Sequence, residues 1–511
     1  MALRTPFQIR SIVLAVILVT LCSLITFRWR YSSYPSVSNI PFPSLSDSGK
    51  TGTVKTQPSK PKTQSTSTLD YDIPNFEKQV EFWRTFHSLL HKHRPRGGAP
   101  HRLKNNVPFD YDPNTEMTRP DLLVMPEKGL ITNQEAHQRY IHDLGYQDPR
   151  LALVFNPGTK GIVTTVFRKD LPTLVVSLHM LRRTGSALPV EIFLKSGDDY
   201  EPKICEDVLA ALNAKCQVLS DIMSVDGPFE LNLEQVKPFS LLFTSFEHAL
   251  WMEFDTFPVQ DPEVLFKAEP YLSRGLITWP DRWASMISPV YYQIAAQEPT
   301  PMSERPTTEG SQIMINKRTH RKSLLLMVYY NFYGPSHYYP LLAQGGPSTG
   351  PKETFLAAAQ AVGEPYYATH EPARIIGHPT ADGGVSGSAS IQYDPRQDYK
   401  LTNQGLYRAK DPNSAPSPPP LFINANSPRF NPARIFDHVG NDPTRGADGT
   451  DSRAWTAPKE TMAEFGFDLE ARLWEEIKWV ACELQDRFDT WRGESGICGR
   501  VAKYYINVFL L

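Results

Sequence analysis

From Gly161 onward the chain alternates short β-branched apolar runs with stretches whose apolar positions recur every three or four residues. Gly161 to Phe167 (GIVTTVF) reads as a strand. Asp170 then caps a helix with Leu174, Leu178 and Leu181 on one stripe, and Gly185 ends it. Val190 to Leu194 is the next strand, Glu206 to Ala214 a helix, Cys216 to Leu219 a third strand, Lys237 to Phe246 a third helix and His248 to Met252 a fourth strand. This alternation predicts an α/β fold with a mostly parallel central sheet covered on both faces. Upstream, Phe76, Val80, Trp83 and Leu90 mark an amphipathic helix, and the Pro-rich, charged passage to about residue 150 reads as irregular wrapping. Near the end, Leu469, Leu473, Ile477, Val480, Leu484 and Phe488 predict a long helix in a C-terminal extension.

The amino terminus carries a different pattern. Ser11 to Phe27 holds no charge and is flanked by Arg4 and Arg10 before and Arg28 and Arg30 after. At about 1.5 Å per residue this run spans roughly 25 Å, enough for a thin bilayer, and no small-x-small cleavage site follows it. The expected organisation is a tail at 1–10, a transmembrane signal anchor at 11–27, a stem at 28–70, a stem helix and wrapping segment at 71–150, and a catalytic domain at 151–511. Residues 31–70 contain 21 Ser, Thr or Pro in 40 positions and cannot bury a core. The arginines balance across the anchor, so charge alone sets no orientation.

The fourth strand runs into an acidic cluster, Glu253-Phe254-Asp255. Period-two alternation along the strand aims both carboxylates to one side. In a parallel sheet that position lies beyond the carboxyl ends of the strands, where ligands bind. Two converging carboxylates suit a hard divalent cation such as Mn2+ or Mg2+. Neither a GxGxxG turn nor a GxxxxGK[ST] loop follows the first strand, which argues against a Rossmann dinucleotide site and a P-loop. A net charge of -2 without a basic aromatic cluster gives no footprint for nucleic acid. Beyond Cys22 in the apolar run there are four cysteines, with Cys205–Cys216 and Cys482–Cys498 as candidate disulfides in an oxidising compartment; no CxxC pair suggests zinc and no N-glycosylation sequon is present. His179 and His370 stand outside any metal-binding spacing, and Tyr329, Tyr330 and Tyr333 read as packing residues.

Eight separated blocks together resemble the fungal Golgi α-mannosyltransferases of the Mnn type. They are LRRTGSALPVEIF (Leu181 to Phe193), Ser245 to Pro262, ITWPDRW (Ile277 to Trp283), EGSQIMINK (Glu309 to Lys317), YYNFYGP (Tyr329 to Pro335), PKETF (Pro351 to Phe355), QYDP (Gln392 to Pro395) and LFINANSPRF (Leu421 to Phe430). The resemblance implies a GT-A type nucleotide-diphospho-sugar transferase fold, GDP-mannose as donor, a glycan acceptor, α linkage with retention at the anomeric carbon, and a type II Golgi membrane protein with its catalytic domain in the lumen, as a possible member of a mannosyltransferase complex. It implies Asp255 as first metal ligand, and Glu253 as second ligand or ribose contact. Trp279 and Asp281 are candidates to stack on and hydrogen-bond a sugar, Asp281 with a catalytic role, unless the aromatic beside Pro280 is a packing element. Lys317 and Lys352 are placed to meet phosphate oxygens, and Glu353 to orient the acceptor unless it merely starts the helix of TFLAAAQAV. Three positions depart from the family pattern. Glu253 stands for the first acid of Asp-x-Asp, Pro351 for an aspartate before Lys-Glu-Thr-Phe, and Asn424 for a histidine before Ala-Asn. Pro351 brings neither carboxylate nor N–H, and Asn424 offers an uncharged amide in the substrate site. These departures leave open a catalytically impaired relative acting as a glycan-binding or complex subunit, or a transferase using another nucleotide sugar.

Overall fold

The computed structural model describes residues 74–510 except 147, 348, 438–441 and 447. The expected anchor and the stem to residue 70 lie outside the described residues. Among the described residues no helix is long and apolar enough to cross a membrane.

Alternate residues of the apolar runs go to opposite faces of one sheet, as a strand buried on both sides requires. Ile162, Ile192, Leu194, Leu250 and Met252 join one core, whereas Val163, Phe193, Ala249 and Trp251 join the other. The strands in chain order are β1 (Asn156–Thr165), β2 (Val190–Leu194), β3 (Ala214–Val218), β4 (Phe246–Met252), β5 (Thr256–Pro258), β6 (Leu276–Ala284), β7 (Pro306–Asn316), β8 (Tyr367–Ala368), β9 (Arg374–Pro379), β10 (Val385–Tyr393) and β11 (Pro420–Asn424). The central sheet has the order β8-β6-β7-β4-β1-β2-β3. Its pairs are parallel except at β7, which runs antiparallel to β4 and β6. The expected sheet is therefore present, but mixed. A second, antiparallel sheet of order β9-β10-β11-β5 stands beside it, and the chain passes from one to the other through the three residues Glu253, Phe254 and Asp255.

Helices cover both faces. On one lie α1 (Phe76–Lys92), α2 (Glu127–Gly145), α4 (Leu233–Phe243), α5 (Arg321–Phe332) and α6 (Thr354–Val362), and on the other α3 (Leu171–Arg183) with the C-terminal α7 (Leu469–Glu483) and α8 (Ile497–Tyr505). The expected first and last helices are found, although α7 stops at Glu483 and leaves Leu484 and Phe488 buried beyond its end. Two expectations differ. The helix at Glu206 to Ala214 is a π-turn over Lys203–Val208 followed by a short α turn, and the segment before residue 150 is no loose wrapping. α2 spans 19 residues and buries Tyr140 and Leu144 in the same core as Phe86 of α1 and Leu325 of α5. Disulfides join Cys205 to Cys216 and Cys482 to Cys498, the pairs expected. Tyr329, Tyr330 and Tyr333 pack inside, their hydroxyls bonded to His93 O, to His137 and to Leu90 O respectively. His179 pairs with Glu476 of α7 at 3.0 Å, and His370 leans on Tyr367 and Asp398.

Candidate active site

In the chain order of the central sheet, β2 and β3 lie to one side of β1 and β4 to the other, so the direction of winding reverses between β1 and β4. Clefts at such reversals face the carboxyl ends of the strands, and the acid cluster leaves β4 at that end. The two acids sit in a tight turn and not on a continuing strand, because β4 hands the chain to the second sheet here. Glu253 N–H donates to Ser311 O of β7 at 2.8 Å and Ala425 N–H donates to Asp255 O at 3.0 Å, which ties the turn to both sheets.

Asp255 is 5% exposed. Burial raises its carboxyl to about 6; the neighbouring Glu253 adds to this, while Arg429 opposes it. Arg429 Nε stands 3.0 Å from Asp255 Oδ2, with its guanidinium 4.8 Å over the Phe254 ring. Asp170, past the end of β1 and also buried, acts on the same guanidinium, and its carboxyl too is pushed up by burial. Glu253 pairs with Lys237 Nζ of α4 at 2.6 Å, and that ammonium also donates to Gly310 O at 2.6 Å.

A second charge group adjoins the first through Gly310. Lys352 Nζ meets Asp281 Oδ2 at 3.0 Å, and Glu309 sits within its field. Burial works against the Glu309 charge, yet Lys352 and the Ser311 hydroxyl hold its carboxyl below the usual range. Glu309 Oε1 accepts from Gly310 N, Ser311 N and Ser311 Oγ at 2.6, 3.0 and 2.9 Å. Asp281 is raised, first by burial, against the pull of Lys352. A Cβ on Gly310 would lie 3.1 Å from Lys352 Cγ and 3.2 Å from Lys237 Nζ, so the bare glycine lets both lysines approach.

The structure thus gathers Asp255, Glu253, Lys352 and Asp281 in one cluster and adds Arg429, Lys237 and Glu309, which the sequence does not single out, and Asp170, which the sequence marks only as a helix cap and whose side chain makes no capping hydrogen bond. Only Glu309, in EGSQIMINK, and Arg429, in LFINANSPRF, lay in blocks already noted. Asn424 is close by. It is wholly buried, paired in register with Thr256, with Oδ1 accepting from Thr256 Oγ1 at 3.1 Å and Nδ2 without a partner. Three expected residues stand elsewhere. Trp279 is 1% exposed, its Nε1 donates to Tyr393 O at 2.9 Å and its ring meets Phe422 edge-on, so it packs in the core and offers no open face to a sugar. Glu353 is buried at the start of α6, against Arg305 Nη2 at 2.9 Å and Thr308 N–H. Lys317 lies across from the start of β4, because the register sets Asn316 opposite His248 and Gln312 opposite Met252. At about 3.3 Å per residue that is roughly 20 Å from the acids. Its ammonium instead donates to Leu242 O and Thr244 O at 2.7 Å and to Val154 O at 3.3 Å, and burial lowers it to about 7.

Among the described residues no three His, Cys, Asp or Glu side chains converge as a metal cage. Asp255 and Glu253 are neighbouring carboxylates, each paired with one of the chain's own cations, Arg429 and Lys237. Two carboxylates suit an ion such as Mg2+ or Mn2+, which keeps water and takes its further oxygens from a diphosphate.

A family profile described as "Mannosyltransferase putative" matches residues 159–308 and 302–394. The α-1,2-mannosyltransferase MNN22 of Candida albicans is 30% identical over 408 residues, covering 69% of this chain and 68% of that protein. MNN21 of the same organism, also named an α-1,2-mannosyltransferase, is 32% identical over 375 residues, covering 60% of this chain and 55% of its own. Against several such relatives the chain spans about half of their length, 48% in one case. Among solved structures, the glycosyltransferase GlyE of Streptococcus pneumoniae aligns over 63% of this chain and 64% of its own at 10% identity and a TM-score of 0.30, a likeness too loose to argue from.

Proposed function

The chain belongs to the fungal Mnn family of mannosyltransferases, and we propose on that premise that it transfers mannose from GDP-mannose to a mannose-bearing glycan in α linkage, on a GT-A type scaffold, with Mn2+ or Mg2+ held by Asp255 and Glu253. The observation that carries this reading is a buried carboxylate at the winding reversal that already grips a cation, Asp255 on Arg429. Such an ion supplies Lewis acidity to the departing diphosphate, and the chain's own cations add to it. Arg429 and Lys237 are within one side chain of the acids and suited to phosphate oxygens. Asp281 and Lys352 border the same rim, where an acceptor hydroxyl would need orienting, and Glu309 stays ionised beside them.

Location in the Golgi membrane through Ser11 to Phe27, with the catalytic part lumenal, is part of the same proposal; two disulfides in the described residues favour an oxidising compartment. A second reading, a glycan-binding or complex-forming relative without transfer activity, is favoured by Pro351 and by Asn424 where the resemblance leads one to expect an acid and an imidazole. The purified full-length chain, given GDP-mannose and a mannoside acceptor, is expected to release GDP only with Mn2+ or Mg2+ present. Asp255→Asn should abolish that release. Release that ignores both the ion and Asp255 would end the metal assignment, and no release with any mannoside would select the second reading.

A further inference from the structure

Each acid assigned to the ion has an internal cation on it, but the two cations differ in freedom. Lys237 is pinned: its side chain is 9% exposed, it donates to Gly310 O as well as to Glu253, and it stands 5.0 Å over the Trp251 ring. The Arg429 side chain is 48% exposed while its partner Asp255 is only 6% exposed. The guanidinium can therefore swing into open space and hydrate at little cost, whereas the Asp255 carboxylate, once ionised, must keep a cation beside it. Asp170 acts on the same guanidinium as a second acid, through charge.

Resting on the function proposed above, we propose that Arg429 is a built-in counter-cation that keeps Asp255 from a bare metal ion and yields it when a nucleoside diphosphate arrives, so that ion and nucleotide enter as a coupled pair. A bare divalent ion would have to displace the guanidinium and leave Asp170 as the one acid in its field not given to the ion. A diphosphate changes both sides of that exchange. Its oxygens complete the coordination of the ion, which two protein carboxylates cannot do, and they offer the displaced guanidinium a bidentate partner. Phe254 provides the face along which the planar group slides. Because binding free energies are reciprocal, the nucleotide must tighten the ion by the same factor as the ion tightens the nucleotide.

The test is calorimetric titration of the full-length chain with MnCl2, with GDP, and with each in the presence of the other, for the wild type and Arg429→Met, which keeps the stem and removes the charge. Arg429→Met is expected to bind bare Mn2+ about tenfold more tightly than the wild type, to bind GDP with Mn2+ about tenfold more weakly, and to lose at least tenfold of the coupling factor, or about 1.4 kcal/mol. Should that variant fold poorly, Arg429→Gln, polar at a half-exposed position, takes its place with the same expectation. Bare Mn2+ binding no tighter than wild type, undetectable binding by both included, overturns the inference, as does an unchanged coupling factor while GDP still binds. If the wild type binds no GDP at saturating Mn2+, the donor assignment falls and this inference falls with it.

Discussion

Replacing Asp255 by Asn should make the protein more stable at neutral pH while removing its ion site. The buried carboxyl titrates at about 6 in the fold, against 3.8 for the free group. Two units of raised pKa correspond to about 3 kcal/mol at about 1.4 kcal/mol per unit. The sign follows from which state prefers the proton. With the folded value above the unfolded one, the native state binds the proton more tightly, so the contribution is fully present below 3.8 and is lost as pH rises through about 6. Asparagine keeps the shape and the neutral character at every pH, so the variant does not suffer that loss. Arg429 loses its partner but is half exposed and hydrates. The difference in stability between Asp255→Asn and wild type should therefore grow by about 2.5 kcal/mol between pH 4 and pH 7.5. For a folded unit of roughly 430 residues, at about 2.1 cal/mol/K per residue, this is about 3 °C in Tm. Calorimetry on the ion-free proteins across that range measures it, and other titrating groups cancel in the difference. Adding Mn2+ at a hundred times its Kd should then raise the wild type by about 2.7 kcal/mol and leave the variant where it was. A difference that stays flat across this window, or shrinks as pH rises, would refute the claim that a buried, poorly compensated charge sits at Asp255.

Lys317→Met should leave three buried carbonyl oxygens without a donor and lower stability by about 2–4 kcal/mol, with GDP affinity unchanged because the residue lies far from the acids; a loss of GDP affinity at unchanged Tm would contradict its placement. Trp279→Ala should cost about 3–5 kcal/mol through the cavity it leaves, whereas Trp279→Phe keeps most of the packing and should retain the sugar affinity of the wild type; a specific loss of sugar affinity in the Phe variant would return Trp279 to the binding site. Replacing Cys205 and Cys216 together by Ser opens a loop of sequence separation 11 and should cost about 3 kcal/mol, read as a Tm drop without a change in Mn2+ affinity.

Strands β1, β2 and β4 were legible because residues buried on both faces leave an uninterrupted apolar run. The reversed direction of β7 was not, since nothing local in PTTEGSQIMIN distinguishes an antiparallel neighbour from a parallel one. α2 escaped notice because its buried face is Gly129, Asn133, His137, Tyr140 and Leu144, with one aliphatic side chain among five. The acids stand out in the sequence but their setting does not: period-two alternation continues the strand through them, whereas the chain turns there into a second sheet. Arg429 pairs with Asp255 across 174 residues, and Lys237 reaches Glu253 from a helix, so their cationic role exists only after folding. Trp279, Glu353 and Lys317 are residue types that binding sites use, yet the fold spends them on an indole hydrogen bond, a buried ion pair and a carbonyl clamp. Motif content alone does not separate these uses, because burial is set by partners distant in sequence.

Anomalous diffraction from crystals grown with Mn2+ and GDP addresses the ion site most directly. A manganese peak within about 2.1–2.6 Å of an Asp255 carboxylate oxygen, bridged to the diphosphate and with Arg429 moved off Asp255, is the predicted result. Nucleotide bound with no ion near Asp255, or an ion bound elsewhere while Arg429 stays on Asp255, would contradict it.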